Sequence, residues 1–406
     1  MTRSGADDEG AASVPDSRTT PITTDVLRGV LELEQGPHGV VPHRLPAWAR
    51  AQCPDPQLHL AEGQAAGGRI AVRTAATRIE LDVLPTRYGF RGAPPRPAGV
   101  FELLVDGEPV GSAVAPTATT VTIDPATGAP EVVPGEVGTV AFSGLPAGTK
   151  DVELWLPHNE AVELVALRTD APVEPAPATG RPVWLHHGSS ISHGSNAEQP
   201  TGTWPALVAL GAGLDLVNLG LSGSAVLDPF VARTMRDTPA DLLSVKIGIN
   251  VVGGDIMRRR AFGPAVHGFL DTLREGHPTA PLLVVSPLHT PIHEDTPGPG
   301  AFDLEALAGG RTVFRATGDP AEVAAGRLTL AVVREELARV VSQRTPNDPH
   351  LFYLDGRELY GPADYAELPL PDELHPDAAT HRRIAERFRA RVLGGGGAFA
   401  GQAPAA

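Results

Sequence analysis

The chain has 406 residues, more than one hydrophobic core ordinarily supports, so two domains are expected. Its 42% apolar content is that of a globular protein, while 48 acidic against 33 basic residues give a formal charge of −15, which excludes nucleic acid and anionic membrane surfaces as natural partners. No run approaches the ~20 apolar residues of a membrane span, and a single cysteine, Cys53, forms no internal disulfide and fits a cytoplasmic location.

Residues 1–24 are rich in Asp, Gly, Ser and Thr and read as a disordered leader. From 25 to 170 the chain carries short alternating segments: Arg69–Thr74, Arg78–Val83, Phe101–Val105, Thr119–Ile123 and Asp151–Leu156. Alternation places one face of each strand in a core and the other in water. Turns such as Asp106-Gly107 punctuate them, and the pattern predicts an all-β sandwich of jelly-roll type. Residues 171–181 then bring proline every two or three positions, which predicts a stiff spacer between two folded units.

Beyond it the rhythm becomes apolar strand, helix, strand. Strands are expected at Val183–His187, Leu214–Leu219, Leu242–Ile247, Leu282–Ser286 and Leu351–Leu354, and helices over Gly263–Gly276, Ala321–Gln343 and Pro376–Leu393. Strands that are continuous apolar runs between helices imply a parallel sheet covered on both faces, here spanning 182–394, with reactive residues at the C-terminal strand ends. The stretch 287–320, broken by Pro and Gly, is expected to line the cleft. Residues 395–406 read as a flexible tail.

Four short segments carry chemistry. Gly188-Ser189-Ser190-Ile191-Ser192 follows the first of these strands, Asn218-Leu219-Gly220-Leu221-Ser222-Gly223 the second, and Gly248-Ile249-Asn250 the third; Asp372-Glu373-Leu374-His375 precedes the last helix. A serine hydroxyl is a poor nucleophile until a base takes its proton, which suits imidazole. Asp372 lies three residues before His375 and can orient its ring, and Pro376 suits the first turn of the closing helix. Spacing alone does not rank Ser189, Ser190, Ser192 and Ser222.

The ordered set resembles the SGNH hydrolases, the GDSL esterase and lipase superfamily, whose first block is Gly-Asp-Ser followed by an aliphatic residue. The resemblance implies Ser190 as nucleophile, with Ser189 in place of the family's Asp. It implies an oxyanion site from the backbone N–H groups of Ser190 and Gly223 and the Asn250 amide, with Gly220 the rival to Gly223. The Asp that often follows the family's Asn is Val251 here. It implies His375 and Asp372 as base and orienter, and a flavodoxin-like α/β fold behind the β domain. The expected activity is hydrolysis of a short acyl ester on a sugar or secondary metabolite, without metal or other cofactor. Acyl transfer by the same residues, or glycan binding at a decayed site, are the alternatives.

Other eye-catching residues read more simply. His186, His187 and His193 match no zinc spacing, and His289 and His293 flank Pro291, which argues against one helix face. Arg258-Arg259-Arg260 reads as a solvated face.

Overall fold

The computed structural model describes residues 17–124, 127–178 and 180–402. Among the described residues, the strands up to Pro175 form an eight-stranded and a six-stranded sheet, mostly antiparallel, with Arg78–Phe90 and Thr119–Ile123 the parallel exception. Their inner faces interleave. Ile70, Val72, Phe101, Leu103, Val152 and Leu154 from one sheet meet Leu81, Val83, Val162 and Leu164 from the other. Each fully buried side chain of this kind contributes about 1.5–3 kcal/mol, so the alternating pattern suffices to hold the sandwich. The strand Ala161–Thr169 was hidden from the sequence because a register shift between Leu164 and Ala166 puts its alternation out of phase.

Three segments differ from expectation. Arg18–Thr20, in the expected leader, pairs with Leu167–Thr169; residues 1–16 lie outside the described residues. The proline-rich stretch is not a free spacer, because Val173–Pro175 adds an edge strand to Arg69–Thr74, where proline's missing N–H costs no ladder bond. In the expected tail, Phe399 is fully buried against Phe388; residues 403–406 lie outside the described residues.

The second region is built on a five-stranded parallel sheet of Val183–Gly188, Asp215–Gly220, Leu242–Lys246, Leu282–Val285 and Leu351–Leu354. The second strand lies outside the first, and the third, fourth and fifth follow on its other side, which is the flavodoxin-like order. Successive residues serve opposite faces. Leu243, Leu282 and Val284 pack with the helices Pro229–Asp237, Arg259–Gly276 and Leu330–Arg344, while Leu242, Leu283 and Val285 pack with Trp204–Ala212 and Ala378–Phe388.

Two helices begin later than their periodicity implied. Thr329 caps the helix expected from Ala321, and Asp377, accepting from the Thr380 N–H at 2.8 Å, caps the one expected from Pro376. Among the described residues no helix is long and apolar enough to cross a membrane.

The two regions share a core. Leu45, two residues before the short helix Ala47–Arg50, Ala49 within it and Leu58 in the helix Pro56–Gly63 pack in one cluster with Leu219, Leu221 and Phe230. Arg44, fully buried, donates to the carbonyls of Gln64 (2.6 Å) and Ala61 in its own region and of Asn218 (3.0 Å) and Gly220 (2.6 Å) across the boundary. Burial lowers its pKa to about 10, against the opposing pull of the Glu62 carboxylate, so the guanidinium remains charged at neutral pH. Stranding a buried acceptor costs about 1–3 kcal/mol. Arg44→Met should therefore lower the stability of the whole chain in urea by about 3 kcal/mol or more, and an unchanged unfolding midpoint would show that these carbonyls do not need it.

Candidate active site

The strand Val183–Gly188 runs directly into the short helix Ser190–His193. Gly188 is required there, since a side chain would strike Ser192, and Gly194 closes the helix at φ 115°, a conformation open to glycine. Ser190 thus stands at the C-terminal edge of the sheet. Its hydroxyl donates to His375 Nε2 at 2.9 Å, and His375 Nδ1 donates to Asp372 Oδ2 at 2.8 Å. The other carboxylate oxygen, Oδ1, accepts the backbone N–H groups of His375 (2.6 Å) and Leu374 (3.0 Å), and Asn196 Nδ2 donates to Oδ2 at 3.3 Å.

The Asp372 and His375 side chains are only 11% and 13% exposed, so their contact is little screened by water. Burial pushes the Asp372 carboxyl up, but the His375 ring and the two N–H donors outweigh it and hold the group below the usual aspartate value. It stays ionised at neutral pH. Asp372 and His375 do not follow a strand directly; a 3-10 turn and the helix Pro362–Glu367 intervene after Leu354.

The other three candidate serines stand elsewhere, two of them bonded to other histidines. Ser192 Oγ meets His186 Nε2 at 2.8 Å, Ser222 Oγ meets His193 Nδ1 at 3.0 Å, and Ser189 is buried beneath the turn. The clustered histidines are internal. His186 Nδ1 also bonds Ser244, His187 donates to Leu219 O at 2.8 Å, and His193 donates to His158 O at 2.6 Å. Burial lowers all three pKa values, that of His187 to about 4, so they act as neutral hydrogen-bonding groups.

His289 Nδ1 lies 3.2 Å from Glu294 Oε1, and His293 donates to Thr296 O. Arg258 and Arg259 pair with Asp255 and Glu336. Among the described residues no group of three metal-ligating side chains converges.

The other two blocks lie at the ends of the second and third strands. Asn218 Nδ2 donates to Ser192 O at 2.9 Å while its Oδ1 accepts the Gly220 N–H at 2.8 Å, fastening the second strand's end to the serine helix. The Gly220 N–H is therefore occupied, and its Cα sits so close to the His193 backbone that no side chain fits. Gly223 lies one turn further, in the 3-10 turn Ser222–Ser224, with the Gln57 amide above it. Asn250 is the second residue of the short helix Ile249–Gly253, which follows Gly248 (φ 122°), and its Oδ1 accepts the Ala225 N–H at 3.3 Å. That bond orients the amide and leaves its two N–H donors available.

Three contributors escaped the sequence reading: Asn196, Gln57 and Phe314. Phe314 lies within the expected cleft-lining stretch; its ring stands edge-on to the His375 ring at 5.4 Å, and its N–H donates to Asp372 O at 2.9 Å. None has a local signal, since each acts across long chain separations.

Residues 187–383 match the family model of the GDSL-like lipase/acylhydrolase family. Over the whole chain, the structure is similar to a salicylyl-acyltransferase from a tetracycline biosynthetic pathway, with 28% identity, a TM-score of 0.72 and coverage of 92% of this chain and 96% of that one. The fold is also that of a GDSL-like lipase from Bacteroides ovatus (18% identity, TM-score 0.64, 92% and 96% covered) and a family two carbohydrate esterase from Cellvibrio japonicus (13%, 0.52, 92% and 97%). No curated protein matches the chain. With the parallel sheet and the four ordered blocks on one edge, residues 187–383 belong to the GDSL-like lipase/acylhydrolase family, and an all-β region precedes them.

Proposed function

We propose that this chain is a serine esterase that removes a short acyl group from a small-molecule ester or an acylated glycan. The observation that carries the reading is the hydrogen-bond chain from Asp372 through His375 to the Ser190 hydroxyl. Ser190 Oγ attacks the acyl carbonyl while His375 Nε2 takes its proton, and the imidazolium so formed is held by the Asp372 carboxylate. Negative charge gathers on the carbonyl oxygen, where the N–H groups of Ser190 and Gly223 and the Asn250 amide receive it. His375 returns the proton to the departing alcohol, and water, activated by the same imidazole, releases the acid. The single cysteine, Cys53, is free, in keeping with a cytoplasmic enzyme.

A second reading, acyl transfer to an acceptor alcohol, is favoured by the likeness to the salicylyl-acyltransferase. Product analysis with p-nitrophenyl acetate and candidate alcohols separates the two: free acid as main product supports hydrolysis, and acylated alcohol formed in preference to acid supports transfer.

With p-nitrophenyl acetate, Ser190→Ala should lower kcat by about 10⁴- to 10⁶-fold with the melting temperature nearly unchanged. Ser189→Ala and Ser222→Ala should retain most of the rate; if either is the dead variant, the nucleophile is misassigned. Asn250→Ala should cost about 10²–10³ in kcat, and Asp372→Asn about 10⁴. A mild Asp372→Asn phenotype would mean that the imidazole is oriented by another group.

A further inference from the structure

A row of aromatic rings leaves the site in the direction of the β region. From His375 it passes to Phe314, then to Phe302 at 4.9 Å between ring centroids, then to Phe90 at 5.9 Å. Phe302 and Phe314 are direct cross-strand partners in the small hairpin of Gly300–Phe302 and Phe314–Ala316, so their rings share one face. Phe90 ends the long strand Arg78–Phe90 of the sandwich. All three rings remain partly exposed.

Beside Phe90 the Arg96 guanidinium lies 6.0 Å from the centroid of the ring. Arg96 is open to water by its accessible surface, yet enough protein surrounds it that burial lowers its pKa, with the Asp372 carboxylate raising it in part. Its charge also reaches His193 on the serine helix, and among the described residues it forms no ion pair.

We infer that Phe314, Phe302 and Phe90, with Arg96 beside them, bind a planar aromatic group of the substrate that bears an acidic oxygen. Partly exposed rings in register present edges and faces to which another ring packs better than a puckered alicyclic one. A guanidinium that forms no ion pair among the described residues supplies the complementary charge in a protein of formal charge −15. The inference rests on the reading of Ser190 and His375 as the reacting centre and names the kind of substrate that reaches it. It also assigns the β region a contact with substrate through Phe90 and Arg96.

Calorimetric titration of the full chain with benzoate and with cyclohexanecarboxylate tests it, because the two acids differ in ring planarity and not in charge. Benzoate should bind about ten-fold more tightly or better, and Arg96→Gln should weaken it about ten- to hundred-fold, as loss of a charge-assisted hydrogen bond does. Phe302→Leu should shrink the preference for benzoate. Arg91→Gln, in the same segment but paired with Glu131, should leave binding unchanged. Equal affinity for the two acids, or benzoate binding indifferent to Arg96→Gln, overturns the inference. Titration needs no turnover, so a chain that cleaves p-nitrophenyl acetate yet fails these tests loses only the aromatic subsite, while a Ser190→Ala variant that stays active removes the reaction reading itself.

Discussion

The orientation of one imidazole governs this site. His375 has its two ring nitrogens committed in opposite directions, one to a carboxylate and one to a hydroxyl brought from 185 residues away in the chain. The Asp372 carboxylate is in turn fixed by two backbone N–H groups of its own turn, so it cannot rotate away from the ring. A neutral imidazole with a proton on Nδ1 can only accept at Nε2, and that is where Ser190 stands. The remaining geometry, from the glycine turn at Gly188 to the hairpin that presses Phe314 against the ring, serves to keep these three groups in line.

The β region takes part in building that geometry. Arg44 reaches across to the carbonyls of Asn218 and Gly220, the same strand end whose Asn218 side chain ties down the serine helix. Gln57 covers Gly223, and Leu45, Ala49 and Leu58 complete the apolar cluster beneath. A buried cation satisfied by four carbonyls, two on each side of the boundary, makes separation of the regions costly. Both regions are therefore parts of one scaffold around the candidate site.

What the sequence disclosed follows from the range of the forces involved. The five parallel strands are legible because burial on both faces leaves unbroken apolar runs, and their observed limits fall within about two residues of those runs. The four candidate site blocks are legible because each needs particular residue types within a few positions. The late start of the helix at Leu330 was misread because apolar periodicity continues through the 3-10 turn Pro320–Ala325, whereas the cap at Thr329 sets the boundary. Arg44, Gln57, Asn196 and Phe314 left no mark because their partners lie far along the chain. Spacing alone left the four serines unranked and the family resemblance implied Ser190; of the four, it is Ser190 whose hydroxyl meets His375.

The central claim is that the Ser190 hydroxyl is the one activated by His375. Treatment of the full chain with a fluorophosphonate, which phosphonylates an activated serine and not an ordinary one, followed by peptide mass spectrometry, tests it most directly. The account predicts a single adduct on Ser190 that forms rapidly in the wild type and is lost in His375→Ala. An adduct on Ser189, Ser192 or Ser222, or a Ser190 adduct that forms as fast without the imidazole, would contradict it.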